Sequence, residues 1–338
     1  MAEARDLAPG RARSQAWWRF ALTALRKVGY QARPMRRVLF AGLALVSLAL
    51  GCERHPRSGS VEARPASAKT ISERVIPTTT AAAELVTLFL EPAAVLALPV
   101  QVDDYAVDDF KHGAWATLPR FARYSAEPLL VLHPALVVTH AWQAAETTQV
   151  LRSQGIEVLV LESATDWSGL EQQIRSLGTQ LGKSERAEAV LRELAQRKQR
   201  LAERTKRFAG LRALCYSNDG NGGWAAGAHT TIDVVLGLCS LVNVAAQAGI
   251  DGHQSFDFER VVRADPELIV VGLPARGEQG SATRAVLDST PALAGVRALK
   301  EQHIALLSAN LLSTDSQHLL DTAEALASEL ERLFPERR

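Results

Sequence analysis

The sequence predicts an α/β protein of two lobes with parallel sheets, joined by one long helix. Short β-branched or apolar runs alternate with segments of helical periodicity in both halves of the chain, which favours parallel sheets covered by helices. Between the halves, an apolar stripe opposite charged residues predicts a single helix from Ser184 to Phe208, with Ser184 as its N-cap. A helix–proline–strand motif occurs once in each half, which indicates related units.

The length and composition agree with this architecture. With 338 residues, of which 47% are hydrophobic, the chain is long enough for two domains that each bury a core. The net charge of +1 gives no overall field that favours a nucleic acid partner. The cysteines Cys52, Cys215 and Cys239 form neither a disulfide scaffold nor a zinc motif. Whether Cys215 and Cys239 pair with each other stays open.

The N-terminal region predicts export and lipid attachment. Met35 and two arginines precede an apolar run from Val38 to Leu50, which is followed by Gly51 and Cys52. The run is too short to span a bilayer, which takes about 20 residues, and its order is that of a secretory signal. A cysteine directly after the small residue predicts a lipoprotein-type signal with Cys52 as the lipidated residue. A plain signal peptide or a short membrane anchor is the alternative.

These patterns divide the chain into five segments. Residues 1–52 form an N-terminal extension plus the lipoprotein-type signal, and we expect the true start at Met35. Residues 53–70 are rich in Arg, Ser, Pro and Ala, which predicts a flexible tether. The remaining segments are an N-terminal lobe at 71–183, the bridging helix at 184–208 and a C-terminal lobe at 209–338. The last lobe is expected to close with a helix from Thr314 to Leu333.

An internal repeat relates the two predicted lobes. Glu127 precedes Pro134 and a Leu-Val-Val run, and Glu259 precedes Pro266 and a Leu-Ile-Val run at the same spacing. Each copy predicts a short helix that ends before a proline, followed by a buried strand. Because this order is common in α/β proteins, a chance similarity is the alternative to a true repeat.

Several segments together resemble the periplasmic binding proteins of the iron-chelate, haem and vitamin-B12 importers. The resemblance covers about residues 71–334. Its segments are Arg74 to Glu84, Arg123 to Val138, Leu151 to Val158, Trp224 through Asn243, Phe258 to Val262 and Asp265 to Val271. The Tyr-Ser-Ala-Glu stretch that ends at Glu127 most resembles the haem-type members, whereas Trp142 after the Leu-Val-Val run resembles the cobalamin-type members.

The resemblance implies two Rossmann-like lobes bridged by one rigid helix, the helical-backbone periplasmic binding protein fold. It implies an extracytoplasmic component of an ABC transporter that captures a metal chelate between its lobes: haem, cobalamin or a ferric siderophore. Such a protein is a monomer with no permanent cofactor and is not an enzyme. The resemblance also implies that Glu127 and Glu259 dock on arginines of the ABC permease. Ordinary solvated helix charges are the alternative for both.

Ligand-binding residues are expected on loops at the carboxyl ends of strands, where two α/β lobes face each other. Trp142 and Trp224 are predicted to form flat walls for a macrocycle, with a structural role as the alternative. Tyr105 and His253 are predicted donors of a phenolate oxygen and an imidazole nitrogen to iron. Weaker candidates are His140, His229 and, for a cationic or polar ligand, Asp103, Asp104 and Asp251.

Other functions fit the sequence less well. A zinc/manganese-type metal-binding protein is disfavoured because the eight histidines are scattered. A secreted α/β enzyme that uses Asp219, His229 or His253 is disfavoured because GxSxG and HExxH motifs do not occur. The glycine cluster from Gly220 to Gly227 lacks the Lys-Ser/Thr of a P-loop, and it predicts a tight loop whose backbone approaches the ligand. A surface sensor that keeps the fold without transport is a further alternative.

Overall fold

The structure is a computed structural model that describes residues 71–220, 222–274 and 281–337. The predicted signal, the start at Met35, the lipidation site Cys52 and the tether at 53–70 lie outside the described residues. Within the described part, no helix combines the length and the apolar character that crossing a membrane requires.

A three-stranded parallel sheet forms the centre of the N-terminal lobe. The strands of this half are β1 (Val75–Pro77), β2 (Leu98–Pro99), β3 (Arg120–Phe121), β4 (Leu136–His140) and β5 (Glu157–Leu161). The sheet has the order β1-β4-β5, and β2 pairs separately with β3. The helices are α1 (Thr80–Thr87), α2 (Val102–Tyr105), α3 (Ala126–Val131), α4 (Ala145–Ser153) and α5 (Trp167–Gln180). Every residue of β4 is buried, as expected for a central strand covered on both faces.

A 22-residue helix, α6 (Ser184–Thr205), leads to the second lobe, and a 3₁₀ turn at Lys206–Phe208 completes the predicted segment. Ser184 is not the N-cap, so that prediction was wrong by one residue. Gly182 turns the chain with φ 64°, so the helix begins directly after it. The carbonyl of Lys183 accepts from the amide of Ala187 at 3.0 Å and supplies the first helical bond.

The C-terminal lobe contains a six-stranded mixed sheet. Its strands are β6 (Arg212–Asn218), β7 (Gly223–Ala226), β8 (Val242–Asn243), β9 (His253–Ser255), β10 (Leu268–Leu273) and β11 (Ile304–Ser308). The order is β11-β10-β6-β7-β9, and β8 pairs with β6. Its helices are α7 (Thr231–Leu238), α8 (Val244–Gln247), α9 (Phe258–Ala264), α10 (Ala282–Ser289), α11 (Arg297–Lys300), α12 (Ala309–Ser313) and α13 (Leu319–Leu333). Only β7 runs antiparallel to β6 within this sheet.

One apolar core continues through both lobes. A single cluster holds Val75 and Val138 from the first sheet and Val270 and Leu307 from the second, together with residues of α6 and α13. Separate clusters cover the outer face of each sheet. Moving one lobe against the other would expose part of the shared cluster to water, which favours a stiff joint.

The closing helix begins later than the sequence predicts. The structure starts α13 at Leu319, whereas the helical pattern predicts a start at Thr314. Thr314 and Ser316 instead hydrogen-bond the N-terminal lobe with their hydroxyl groups, and short hydroxyl side chains favour such local bonds over helix interiors. We call residues 309–318, which comprise α12 and this irregular stretch, the bridging arm.

The predicted fold class is confirmed.

Candidate functional site

Buried polar groups close the carboxyl ends of β1 and β4. Thr78 Oγ1 donates to Thr139 Oγ1 at 2.8 Å, and Thr79 Oγ1 lies 2.8 Å from His140 Nδ1. All four side chains are buried. These two contacts tie the strands together at the edge of the sheet where a ligand is expected.

Trp142 follows β4 and is 65% exposed, which is unusual for so large an apolar side chain. Its ring centroid lies 6.0 Å from that of His140. Burial lowers the pKa of His140, although the charge of Asp315 acts in the opposite direction. The Nε2 atom of His140 is buried and has no hydrogen-bond partner among the described residues. The neutral imidazole therefore supports Trp142 by packing and does not offer an accessible donor atom.

Tyr105 is the last residue of α2 and is half-buried. Of the two acidic residues in the first turn of this helix, Asp103 is held by Arg120 of β3, whose Nη2 lies 3.1 Å from Oδ1 of Asp103. Arg120 also donates to the carbonyl oxygens of Phe110 and Leu118 at 2.7 Å and 2.8 Å. Asp103 thus connects α2, which carries Tyr105, to β3.

The structure brings Trp224 and His253 together on one face of the second sheet. Trp224 lies in β7, and not in a loop as the glycine-rich sequence suggests. It is directly opposite Ser255 of β9, while Ala226 is opposite His253. Alternate residues of a strand share a face, so Trp224 and His253 are diagonal neighbours about 7 Å apart. His253 is exposed, yet the protein around the imidazole desolvates it enough to lower its pKa.

The glycines that flank Trp224 make room for protein atoms. A side chain at Gly223 would collide with the hydroxyl of Tyr216 and the carbonyl of Phe256, and one at Gly227 would collide with Ile250. The close backbone approach at these two positions is therefore to the protein's own core, whereas the sequence predicts an approach to ligand. Gly223 still matters for the site. Because it has no side chain, β7 packs against Tyr216 on one face and presents Trp224 on the other.

His229 and Asp251 form an exposed ion pair beside this hairpin. The Nδ1 atom of His229 lies 2.9 Å from Oδ1 of Asp251, and both side chains are more than two-thirds exposed. The hydrogen bond to Asp251 raises the pKa of His229. Exposed pairs of this kind contribute little to stability. The two tryptophans lie on separate lobes, because Trp142 follows β4 and Trp224 lies in β7.

The buried carboxylate of Glu84 connects the two lobes. Glu84 of α1 is 0% exposed. Its Oε2 accepts from the hydroxyls of Thr314 and Ser316 at 2.9 Å and 2.7 Å, and its Oε1 accepts from the amide of Val107 at 2.6 Å. Burial raises the pKa of Glu84, while the charge of His318 and these hydrogen bonds partly offset that rise.

His318 makes the second polar connection of the bridging arm. Its Nδ1 lies 2.6 Å from Oδ2 of Asp321, and its Nε2 lies 3.0 Å from Oδ1 of Asp108. Arg197 of α6 donates to Asp321 at 2.7 Å and extends the network to the long helix. Burial alone would lower the pKa of His318, but the hydrogen bonds to Asp108 and Asp321, with the charge of Glu84, raise it to about 10.

The sequence does not predict this joint, by which we mean the polar contacts of Glu84 and His318 between the lobes. Glu84 lies in a helical segment where a glutamate is ordinarily solvated, and the partners Thr314, Ser316 and His318 follow more than 200 residues later. The available signal was local: a glutamate surrounded by alanine and leucine, on the apolar side of its helix. Such placement predicts burial but does not name the partners.

Comparison with known proteins identifies the family. A sequence profile described as "Periplasmic binding protein" matches residues 102–311, which is more than half of the chain. The chain belongs to the periplasmic binding protein family. No curated protein matches it in sequence.

Solved structures of other periplasmic binding proteins share this fold. The periplasmic haem-binding protein HutB of Vibrio cholerae is 23% identical with a TM-score of 0.66, and the match covers 77% of this chain and 99% of that one. A periplasmic haem-binding protein from Pseudomonas aeruginosa is 25% identical with a TM-score of 0.64, over 79% and 94%. The vitamin-B12-binding protein BtuF of Vibrio cholerae is 18% identical with a TM-score of 0.61, over 78% and 98%. The predicted family is confirmed.

The internal repeat of this periplasmic binding protein is real in three dimensions. Glu127 and Glu259 are both exposed in the first turn of their short helices, α3 and α9. Each helix is followed by a residue of positive φ just before the proline, His133 at 49° and Asp265 at 40°. The alternative of a chance similarity does not account for a shared left-handed residue, which side chains rarely adopt.

The repeat extends to how each helix is capped. Arg74, which precedes β1, donates to the carbonyl of Leu132 at 2.8 Å. Arg212, which begins β6, donates to the carbonyl of Ala264 at 2.8 Å. In both lobes, therefore, an arginine at the start of the neighbouring parallel strand satisfies the unpaired carbonyls at the end of the helix. Neither glutamate forms an ion pair with another residue in the described part of the chain.

Cys215 and Cys239, the two cysteines among the described residues of this periplasmic binding protein, are free. Cys239 is buried and Cys215 is half-buried, so the open question of a disulfide between them is answered. Burial raises the pKa of each thiol to about 12, which keeps both protonated. Among the described residues, no group of three or more His, Cys, Asp and Glu side chains could hold a metal ion.

Proposed function

We propose that this protein is the extracytoplasmic binding component of an ABC importer and that it carries a metal chelate between its lobes. The family match carries the proposal. The chelate classes are those of its structural relatives, whose names specify haem, vitamin B12 and an Fe³⁺-hydroxamate system. The zinc/manganese and enzyme alternatives receive no such support, because the relatives are named as binding or transport proteins.

The proposed cleft is formed by one aromatic pair from each lobe. Trp142 and Tyr105 come from the N-terminal lobe, and Trp224 and His253 from the C-terminal lobe. The exposure of Trp142 supports this assignment, because an exposed indole held by a buried histidine presents a rigid flat face. Tyr105 or His253 would supply an axial donor only if the chelate leaves a coordination position of its iron open.

The transport partner in this proposal is a permease that meets both lobes. Glu127 and Glu259 are the proposed contacts, and the structural repeat around them supports equivalent roles for the two helices. The monomer is the expected state, since one chain already supplies both halves of the cleft and both docking helices.

The proposed location is the periplasm, with a lipid anchor at Cys52. One acyl chain binds a membrane only marginally, whereas several chains anchor a protein stably. Replacing Cys52 by serine should therefore release the protein from membranes on fractionation. Continued sedimentation with membranes after a carbonate wash would assign the anchor to the apolar run from Val38 to Leu50 instead.

Absorption spectroscopy tests the chelate. Purified protein is titrated separately with ferric haem, cyanocobalamin and ferrichrome, and saturable binding of one of them at micromolar or lower concentration is expected. A band shift that is lost on Tyr105→Phe or His253→Ala would identify an axial donor to iron. Absence of binding to all three probes would refute the proposed chelate classes.

A further inference from the structure

The segment directly after Tyr105 is held by the N-terminal lobe itself. The amide of Val107 donates to the buried Oε1 of Glu84 at 2.6 Å. Oδ2 of Asp108 accepts from the Thr87 hydroxyl at 3.0 Å. Both partners lie in α1, so this helix fixes the main chain and one side chain within three residues of Tyr105.

The same segment is held by the bridging arm of the C-terminal lobe. Nδ2 of Asn310 lies 3.4 Å from the carbonyl oxygen of Ala106, and Nε2 of His318 lies 3.0 Å from Oδ1 of Asp108. The arm also donates twice to Oε2 of Glu84, which holds the segment with its other oxygen. Residues 106–108 are therefore clamped from both lobes at once.

The clamp depends on charge. A neutral imidazole carries a single N–H, whereas both nitrogens of His318 lie within hydrogen-bond distance of carboxylate oxygens, on Asp108 and on Asp321. Because ionised carboxylates can only accept, both contacts are hydrogen bonds to Asp108 and Asp321 when the ring is an imidazolium, with a proton on each nitrogen. Charge-assisted bonds of this kind are roughly twice as strong as neutral ones, and His318 is mostly shielded from water, with 14% of its side chain exposed.

We propose that Glu84 and His318 are positioning residues for ligand capture, because together they fix residues 106–108 between the lobes and thereby set the place of Tyr105. The inference rests on the proposed function, in which Tyr105 lines the cleft. It goes beyond that function by assigning a role to the buried Glu84 and the partly buried His318 at the contact between the lobes. It also makes the position of Tyr105 depend on the contact between the lobes.

Fluorine NMR tests the clamp without any ligand. The chain contains 4 tyrosines, of which Tyr105, Tyr124 and Tyr216 lie in the described part. The full chain is labelled with 3-fluorotyrosine, and the signal of residue 105 is assigned by Tyr105→Phe. In Glu84→Gln and His318→Gln, the signal of Tyr105 is expected to shift or broaden while those of Tyr124 and Tyr216 stay in place.

Arg204→Gln is the matched control. Arg204 ties α6 to α13 through Glu331 at 2.8 Å and does not contact residues 106–108. This variant removes an ion pair between α6 and α13 outside the clamp, and it should leave the Tyr105 signal unchanged. An unchanged Tyr105 signal in both clamp variants, or equal shifts of all three tyrosines, would overturn the proposal. If Glu84→Gln does not fold by circular dichroism, His318→Gln and Asp108→Asn decide the outcome.

Titration with ferric haem and cyanocobalamin gives the functional result. For the probe that the wild-type chain binds, affinity should fall about ten-fold in each clamp variant and stay within two-fold in Arg204→Gln. Equal affinity of wild type and both clamp variants would contradict the positioning role. If the wild-type chain binds neither probe, the same titrations are made with ferrichrome. Absence of binding to all three probes would refute the proposed chelate classes, and the fluorine spectra alone would then decide whether the clamp positions Tyr105.

Discussion

Two regions of the protein are built in opposite ways: the rim of the proposed cleft, and the polar joint that Glu84 and His318 form between the lobes. At the rim, Trp142 is 65% exposed, and its ring centroid lies 6.0 Å from that of the buried His140. At the joint, Glu84 is fully buried and accepts hydrogen bonds on both carboxylate oxygens. Exposed apolar surface can contribute to ligand binding when the ligand covers it. A buried carboxylate with hydrogen bonds on both oxygens mainly fixes the geometry of the groups around it. The comparison predicts that Trp142 acts on affinity directly, whereas Glu84 acts on it through the position of residues 106–108.

The largest expected effect is at the joint. Glu84→Leu removes the acceptor of three hydrogen bonds and leaves His318 near Asp108 and Asp321 with one countercharge fewer. We expect the free energy of unfolding to fall by about 3 kcal/mol, because breaking a buried polar network leaves its remaining groups unpaired. Urea denaturation measures this, with Trp142→Ala as the control at the rim. A loss under 1 kcal/mol would show that the joint is not the stabilising region.

The joint should also make stability depend on alkaline pH. The pKa of His318 is about 10 in the folded protein, against an ordinary value of 6.5. Its raised pKa stabilises the fold fully below pH 6.5, and this contribution is lost progressively as the pH rises to about 10. Urea denaturation across that range should show a decline of at most about 5 kcal/mol that is missing in His318→Gln. Parallel curves for the two proteins would contradict the ion pairs of His318.

At the rim, the expected effect is on affinity. Trp142→Ala should weaken binding of the proposed chelate by about ten- to a hundred-fold, the usual cost of losing a well-packed aromatic contact. The free energy of unfolding should change by less than about 0.5 kcal/mol, since the side chain is mostly exposed. Trp224→Ala is the counterpart on the other lobe. Unchanged affinity in both variants would place the ligand elsewhere.

The docking helices should show the smallest effect on the isolated protein. Glu127→Arg and Glu259→Arg, alone or combined, are expected to leave stability and chelate affinity nearly unchanged, because both carboxylates are exposed and unpaired among the described residues. Uptake by cells should fall, and further in the double variant, since charges at an interface rim govern encounter and register. A marked loss of chelate affinity in either single variant would place that glutamate in the cleft.

Patterns of neighbouring residues predicted the sheets, the long helix and the repeat. Alternating apolar runs predicted both sheets, the stripe from Ser184 onward predicted the long helix, and the spacing of Glu127 and Glu259 to their prolines predicted the repeat. Each of these signals comes from the pattern of residues within one continuous segment, where periodicity and backbone sterics decide the structure. The family resemblance depended on the same short stretches, and the profile match confirmed it.

The tertiary structure alone decided the joint and the orientation of the site residues. Nothing near Glu84 in the sequence indicates that Ser316 and His318 will reach it, because burial and partner choice depend on how the lobes pack. The pairing of β7 with β9 likewise put Trp224 and His253 on one face, although glycines around Trp224 predicted a loop. Local sequence sets which elements form, but a buried charge is tolerated only where distant residues supply its hydrogen bonds, and only the folded chain brings them together.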